Sequence, residues 1–101
     1  MVSKNTMPEK LIDSEKAVEK LLVTEVKKRG GLCIKLVTTF FSGLPDRLVL
    51  LPDKTVYFVE LKTTGLKARK LQVNVHKMIK NLGFDVYIID TIEKVKMLFN
   101  D

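Results

Sequence analysis

The chain has 101 residues, 46% of them hydrophobic and 30% charged, with a formal net charge of +6 and a pI of about 9.5. That length suits one domain with a real core, and the composition excludes a disordered or membrane-embedded chain, since no apolar stretch approaches the roughly 20 residues of a spanning helix. One cysteine, Cys33, excludes an intrachain disulfide framework and a multi-cysteine zinc site, and the opening MVSKNTMPEK lacks a signal peptide's apolar segment, so an intracellular, cytoplasmic protein is expected.

Residues 1–12 are polar and aperiodic and read as an arm, with residues 13–101 as the domain. Asp13 or Ser14 can cap a helix that runs to about Arg29, where Gly30-Gly31 stops it. Val18, Leu21, Leu22 and Val26 recur at helical spacing and form its apolar stripe. Glu19 projects from the same side as Leu22 and Val26. It stands either at the wet edge of the stripe or turned inward, and the helix pattern alone favours the wet edge. Leu32–Val37 reads as a short strand in which Cys33 is a buried structural thiol and Lys35 shares its side. Thr38–Leu44 is a loop whose aromatics, Phe40 and Phe41, are expected to pack on the core rather than stack on a base.

Asp46–Leu51 and Thr55–Lys62 read as strands joined by the turn Pro52-Asp53-Lys54. Along the second, Val56, Phe58, Glu60 and Lys62 share one face, while Tyr57, Val59 and Leu61 share the other. Both faces carry apolar residues, so this strand belongs at the centre of a sheet covered on both sides. A hairpin centred near Asp53 pairs Val56 with Leu50, Phe58 with Leu48 and Glu60 with Asp46. Opposed residues point to one face with Cβ atoms about 5 Å apart, and a one-residue slip would separate the two carboxylates. Carboxylates so opposed repel unless a cation lies between them, and hard oxygen ligands suit Mg²⁺ or Mn²⁺. Lys62, two residues along the same face, can point at a phosphate or an attacking water. Arg47 alternates away from Asp46, toward a salt bridge or a phosphate contact.

Thr63-Thr64-Gly65 leaves the strand, and a second helix is expected from about Lys67 to Leu82, ended by Gly83. Its core stripe is Leu71, Val75, Met78, Ile79 and Leu82, with Gln72 and His76 on the neighbouring edge. His76, the one histidine, reads as a partly exposed helix residue without a role rather than as a ligand. Between Leu61 and Phe84 stand six basic residues (Lys62, Lys67, Arg69, Lys70, Lys77 and Lys80) and no acidic one, the footprint of a phosphate-binding face. Phe84–Ile89 is a fourth strand. Asp90-Thr91-Ile92-Glu93 reads as a capping box for a last helix through about Phe99, docked by Ile92, Val95, Leu98 and Phe99. The order αβββαβα describes an α/β domain with a mixed sheet and helices on both faces.

Gly43-Leu44-Pro45-Asp46-Arg47 followed by Phe58-Val59-Glu60-Leu61-Lys62 resembles the PD-(D/E)XK nuclease pattern and, more narrowly, a phage-type VRR-NUC domain. The resemblance spans roughly residues 15 to 97 and takes in Glu19 with LLVTEVKKRGG, Lys35, Gln72 and the Gly83-Phe84-Asp85-Val86 turn. It implies a restriction-endonuclease-like αβββαβ(α) core. It also implies Asp46 and Glu60 as the main metal ligands with the Leu61 carbonyl, Lys62 orienting the attacking water, Glu19 completing the metal shell directly or through water, and Gln72 lining the pocket. Lys35, Arg47, Lys67, Arg69, Lys70 and Lys77 are then expected on DNA. The implied activity is a Mg²⁺- or Mn²⁺-dependent DNA endonuclease, phage-encoded in a bacterial host and acting as a homodimer, with branched or four-way-junction DNA as the substrate by family analogy. The loop TTGLKARKLQ departs from the family's usual Gly/Pro-rich turn and Ser near the helix start, which points to altered DNA contacts. Two other readings stand beside this one. A binding module could use the basic helix without cutting, although every expected catalytic position is filled. A purely structural α/β domain would bind no metal.

Overall fold

Periodic and alternating apolar runs resolve into three helices and four strands in the computed structural model, which describes residues 12–37 and 39–100. Of the arm expected over residues 1–12, all but Ile12 lies outside the described residues. Helix α1, Glu15–Lys28, begins where Ser14 Oγ accepts the Ala17 N–H at 3.1 Å. It ends in two crossed hydrogen bonds, Gly30 N–H to Lys27 O and Gly31 N–H to Val26 O, both 3.0 Å, which satisfy its last carbonyls. Gly30 takes the left-handed φ of +77° that this cap requires. Gly31 is needed for a different reason: a Cβ there would stand 2.5 Å from Leu50 O.

Strands β1 (Leu32–Lys35), β2 (Arg47–Leu51) and β3 (Thr55–Leu61) form an antiparallel meander, and β4 (Asp85–Ile89) pairs parallel with β3 after the crossover helix α2 (Lys70–Asn81). The β2–β3 register is the expected one, with Leu50 opposite Val56 and Leu48 opposite Phe58. Helix α2 starts three residues later than expected because the Arg69 N–H is taken by Gln72 Oε1 at 2.9 Å, which makes Arg69 the cap. Helix α3 (Ile92–Leu98) is capped by Thr91, whose Oγ1 accepts the Lys94 N–H at 3.0 Å, and not by Asp90. The Asp90 carboxylate instead accepts from Gly65 N at 3.0 Å and Lys94 Nζ at 2.8 Å, tying the loop after β3 to the start of α3.

The two faces of β3 are built differently. Tyr57, Val59 and Leu61 enter the main core with Val18, Leu22 and Val26 of α1, Val49, Ile89 and Val95 of α3. Phe58 faces the other side, where Val75 and Ile79 of α2 pack on Val86, Leu44 and Phe58 in a smaller cluster. The stripe expected on α2 is therefore narrower: Leu71, Met78 and Leu82 are exposed, because the helix turns its Val75–His76–Ile79 side to the sheet. Toward the β1 edge this second face is open, with Leu32 and Ile34 exposed. Among the described residues no helix is long and apolar enough to cross a membrane.

Truncating the fully buried Leu22 to alanine is expected to remove about 2–5 kcal/mol of stability. Gly31→Ala should also destabilise, because a backbone oxygen cannot swing aside as a side chain can. Urea titrations of both variants against the parent protein measure this. A Gly31→Ala midpoint equal to the parent's would refute the close approach.

Candidate active site

The end of the β2–β3 hairpin places the two expected carboxylates together. The ladder closes at Arg47 opposite Val59, so Asp46 stands one step beyond it, opposite Glu60. Asp46 Oδ2 accepts the Leu61 N–H at 2.7 Å, which pins the carboxylate to the end of the sheet. Glu60 is 1% exposed, a burial that a carboxylate tolerates only with partners. Its Oε2 accepts from Gln72 Nε2 at 2.8 Å and lies 3.2 Å from Lys62 Nζ. Gln72 Oε1 in turn accepts from Lys62 Nζ at 3.1 Å and from the Arg69 N–H at 2.9 Å. One amide thus links Glu60, Lys62 and the start of α2. Burial first, and then the negative charge of Asp46, push the Glu60 carboxyl up to about 7, against the opposing pull of Lys62 and Gln72.

A cleft of about 440 Å³ opens beside this cluster, lined by Ser42, Gly43, Asp46, Arg69, Leu71 and Gln72. Its wall is close because the loop before Asp46 runs against α2: a Cβ on Gly43 (φ +90°) would meet Val75 Cγ2 at 2.8 Å and Leu71 Cγ at 3.1 Å. Phe40 and Phe41, expected against the core, are instead exposed on this loop, whose contact with the smaller apolar cluster is made by Leu44. Lys67, Arg69, Lys70 and Lys77 are all exposed before and along α2, and Lys35 is exposed on the edge strand opposite Arg47.

Two residues lie differently from their sequence reading. Glu19 is not among the groups that meet at Glu60: its Oε2 is held by Arg47, with Nη2 at 2.8 Å and Nε at 3.2 Å, and Arg47 Nη1 also donates to Cys33 O at 3.1 Å. Arg47 alternates away from Asp46 along β2, and α1 packs on that other face, so the salt bridge forms there. His76 is the second. It is 4% exposed rather than a partly exposed helix residue, and its Nε2 faces Glu60 Oε1 at 3.8 Å. Neither atom has a hydrogen-bond partner among the described residues. The spacing held the signal, because residues 72, 76 and 79 lie on one helix side and Ile79 is core.

The donor set suits a hard divalent cation. Two opposed carboxylates, one of them driven toward protonation by burial and by the other's charge, are relieved by a positive charge between them, and the Leu61 carbonyl belongs to the same strand end. Among the described residues no group of three or more Asp, Glu, His or Cys side chains is arranged to hold a metal ion.

In metal-free protein the raised Glu60 keeps a proton that the unfolded chain, at its ordinary value of 4.5, has lost. Its share of stability is therefore present below 4.5 and is lost as pH rises to about 7, by on the order of 3 kcal/mol. His76 works the other way below its ordinary 6.5, since burial and then the charges of Lys80 and Lys62 hold it low. In EDTA, the Tm of the parent relative to Glu60→Gln is expected to fall between about pH 5 and pH 8. A difference that stays flat with pH would show that Glu60 is not raised.

Set against known proteins, this arrangement has relatives. No family model matches the chain. "Putative nuclease p44" of Acyrthosiphon pisum secondary endosymbiont phage 1 is 42% identical over 77 residues, covering 76% of this chain and 83% of that protein. A solved structure described as "VRR_NUC domain" superposes with a TM-score of 0.78 at 29% identity, covering 86% of this chain and 96% of its own. With a phage relative at 42% identity and a structural match over most of both chains, the chain belongs to the phage-type VRR-NUC nuclease-domain family.

Proposed function

We propose that the protein is a divalent-metal-dependent endonuclease that hydrolyses phosphodiester bonds in DNA. The observation that carries this is Glu60, a buried carboxylate held by Gln72 and Lys62 opposite Asp46 at the rim of a cleft. Asp46, Glu60 and the Leu61 carbonyl are the residues that would hold Mg²⁺ or Mn²⁺, which when bound supplies Lewis-acid polarisation of the phosphate and a more acidic water. Lys62, with its ammonium 3.2 Å from Glu60 Oε2, would orient the attacking water or offset charge gathering on the phosphate. Gln72 fixes both side chains, so neither needs to reorganise when substrate arrives. Arg69, on the cleft wall with Asp46, is placed to hold a substrate phosphate, and Lys67, Lys70 and Lys77 extend that positive surface along α2. Arg47 and Lys35 lie on the far side, where Arg47 serves α1 through Glu19.

The open apolar face at the β1 edge supports a homodimer, which would set two sites against two strands. A branched or four-way-junction substrate is supported by the family relationship and by the exposed Phe40 and Phe41 before the cleft, since exposed rings stack on unpaired bases. A non-cutting DNA-binding module would not need Glu60 buried against Lys62 and is the weaker reading.

Incubation of the protein with supercoiled plasmid, linear duplex, single strand and a synthetic four-way junction in Mg²⁺ or Mn²⁺ is the test. Cleavage is expected, and Asp46→Ala or Glu60→Ala should lower it roughly 100- to 1,000-fold or more. No cleavage by the parent, or undiminished cleavage by both variants, would refute the nuclease. Glu19→Ala is expected to lower stability more than cleavage, because its observed partner is Arg47. A loss as deep as that of Asp46→Ala would return Glu19 to the metal shell.

A further inference from the structure

We propose that His76 is a positioning residue of this site: its Nε2–H donates to Glu60 Oε1 and thereby fixes the rotation of the carboxylate. The inference rests on the reading of Glu60 as a metal ligand, and the hydrogen bond itself can be tested without metal. Glu60 Oε1 and His76 Nε2 are buried, lie 3.8 Å apart, and each lacks a hydrogen-bond partner among the described residues. A buried polar atom left without a partner costs about 1–3 kcal/mol, and more when charged. Two such atoms of complementary character, facing each other, are both satisfied by one bond. Closing 3.8 Å to an ordinary N–H···O separation of about 2.9 Å stays within a single rotamer well of either side chain.

Helix α2 is built for this grip. Gln72 and His76 are four residues apart, so they project from one side a turn apart. Gln72 Nε2 already takes Oε2 at 2.8 Å, and His76 takes the remaining oxygen. A cation shared between His76 and Glu60 fits less well. Octahedral bonds of about 2.1 Å place adjacent donors about 3.0 Å apart, and the waters such an ion keeps have no place between side chains this buried. The hydrogen bond requires the neutral tautomer protonated at Nε2. Loss of an outer hydrogen bond of this kind typically weakens metal binding 10- to 100-fold.

Long-range ¹H–¹⁵N NMR of the metal-free protein in EDTA, at a pH well above the value of about 7 at which Glu60 loses its proton, should show His76 protonated at Nε2, with that proton slow to exchange, and Glu60→Met should abolish the slow exchange. Calorimetric Mn²⁺ titration of His76→Leu should show 10- to 100-fold weaker binding with the EDTA Tm retained, and His76→Gln, which keeps a donor at the same reach, should stay within roughly threefold of the parent. An Nδ1–H tautomer overturns the proposal. So does a His76→Leu variant that binds Mn²⁺ as tightly as the parent while Glu60→Ala does not bind it. A parent protein that takes up no Mn²⁺ and cuts no DNA defeats the nuclease reading, and the tautomer and proton exchange still decide whether His76 holds Glu60.

Discussion

The buried carboxylate of Glu60 is the constraint on which the rest of the site depends. A glutamate 1% exposed at the end of a central strand is stable only if the surrounding elements bring donors to it. Two do so. The strand itself supplies Lys62 and α2 supplies Gln72, while the hairpin opposes Asp46 with its like charge. The balance leaves the carboxyl near neutrality, poised between a proton and a cation. Structural ion pairs can also shift a carboxylate, but here the shift coincides with a cleft, a lysine and a basic helix.

The sheet separates support from chemistry. On one face α1 and α3 bury Val59, Leu61 and their neighbours, and the Arg47–Glu19 pair lies there with them. On the other, α2 covers only a small apolar cluster, and the polar residues of β3 fall between that cluster and the cleft. A single strand with period 2 therefore provides both the anchor of the fold and the Glu60–Lys62 pair of the candidate site. The loop after β3 is bound at its base by Thr64 and Asp90, which tie it to Asp13 and the start of α3. Lys62 thus leaves the sheet from a fixed point, not from a free loop.

Much of this was legible in the residues. Alternation along Thr55–Leu61 and a turn at Asp53 leave one register that buries both apolar sets, and that register carries Asp46 opposite Glu60. The Ser14 cap, the Gly30-Gly31 stop and the stripe of α1 are local, so the sequence pattern suffices for them. Asp90 was misread as a cap because Thr91 beside it serves equally well locally, and the contact that recruits Asp90, Gly65 N, lies 25 residues away. Phe40 and Phe41 look like core residues to any hydrophobic scale. Only the tertiary packing, which gives this loop's contact with the smaller cluster to Leu44, leaves them exposed.

What the sequence alone determined is the β2–β3 ladder: that these two strands pair, which carboxylates meet, and that a basic helix follows. These depend on periods of 2 and 3.6 that are written into neighbouring residues. Tertiary packing decided the rest. The rotation of α2 about its axis, set by how Val75 and Ile79 fit against Phe58 and Val86, turned His76 from the edge of the helix onto Glu60. The packing of α1 on the opposite face gave Glu19 to Arg47. Helical spacing gives the order of residues around an axis but not the angle at which that axis meets the sheet, and both assignments depend on that angle.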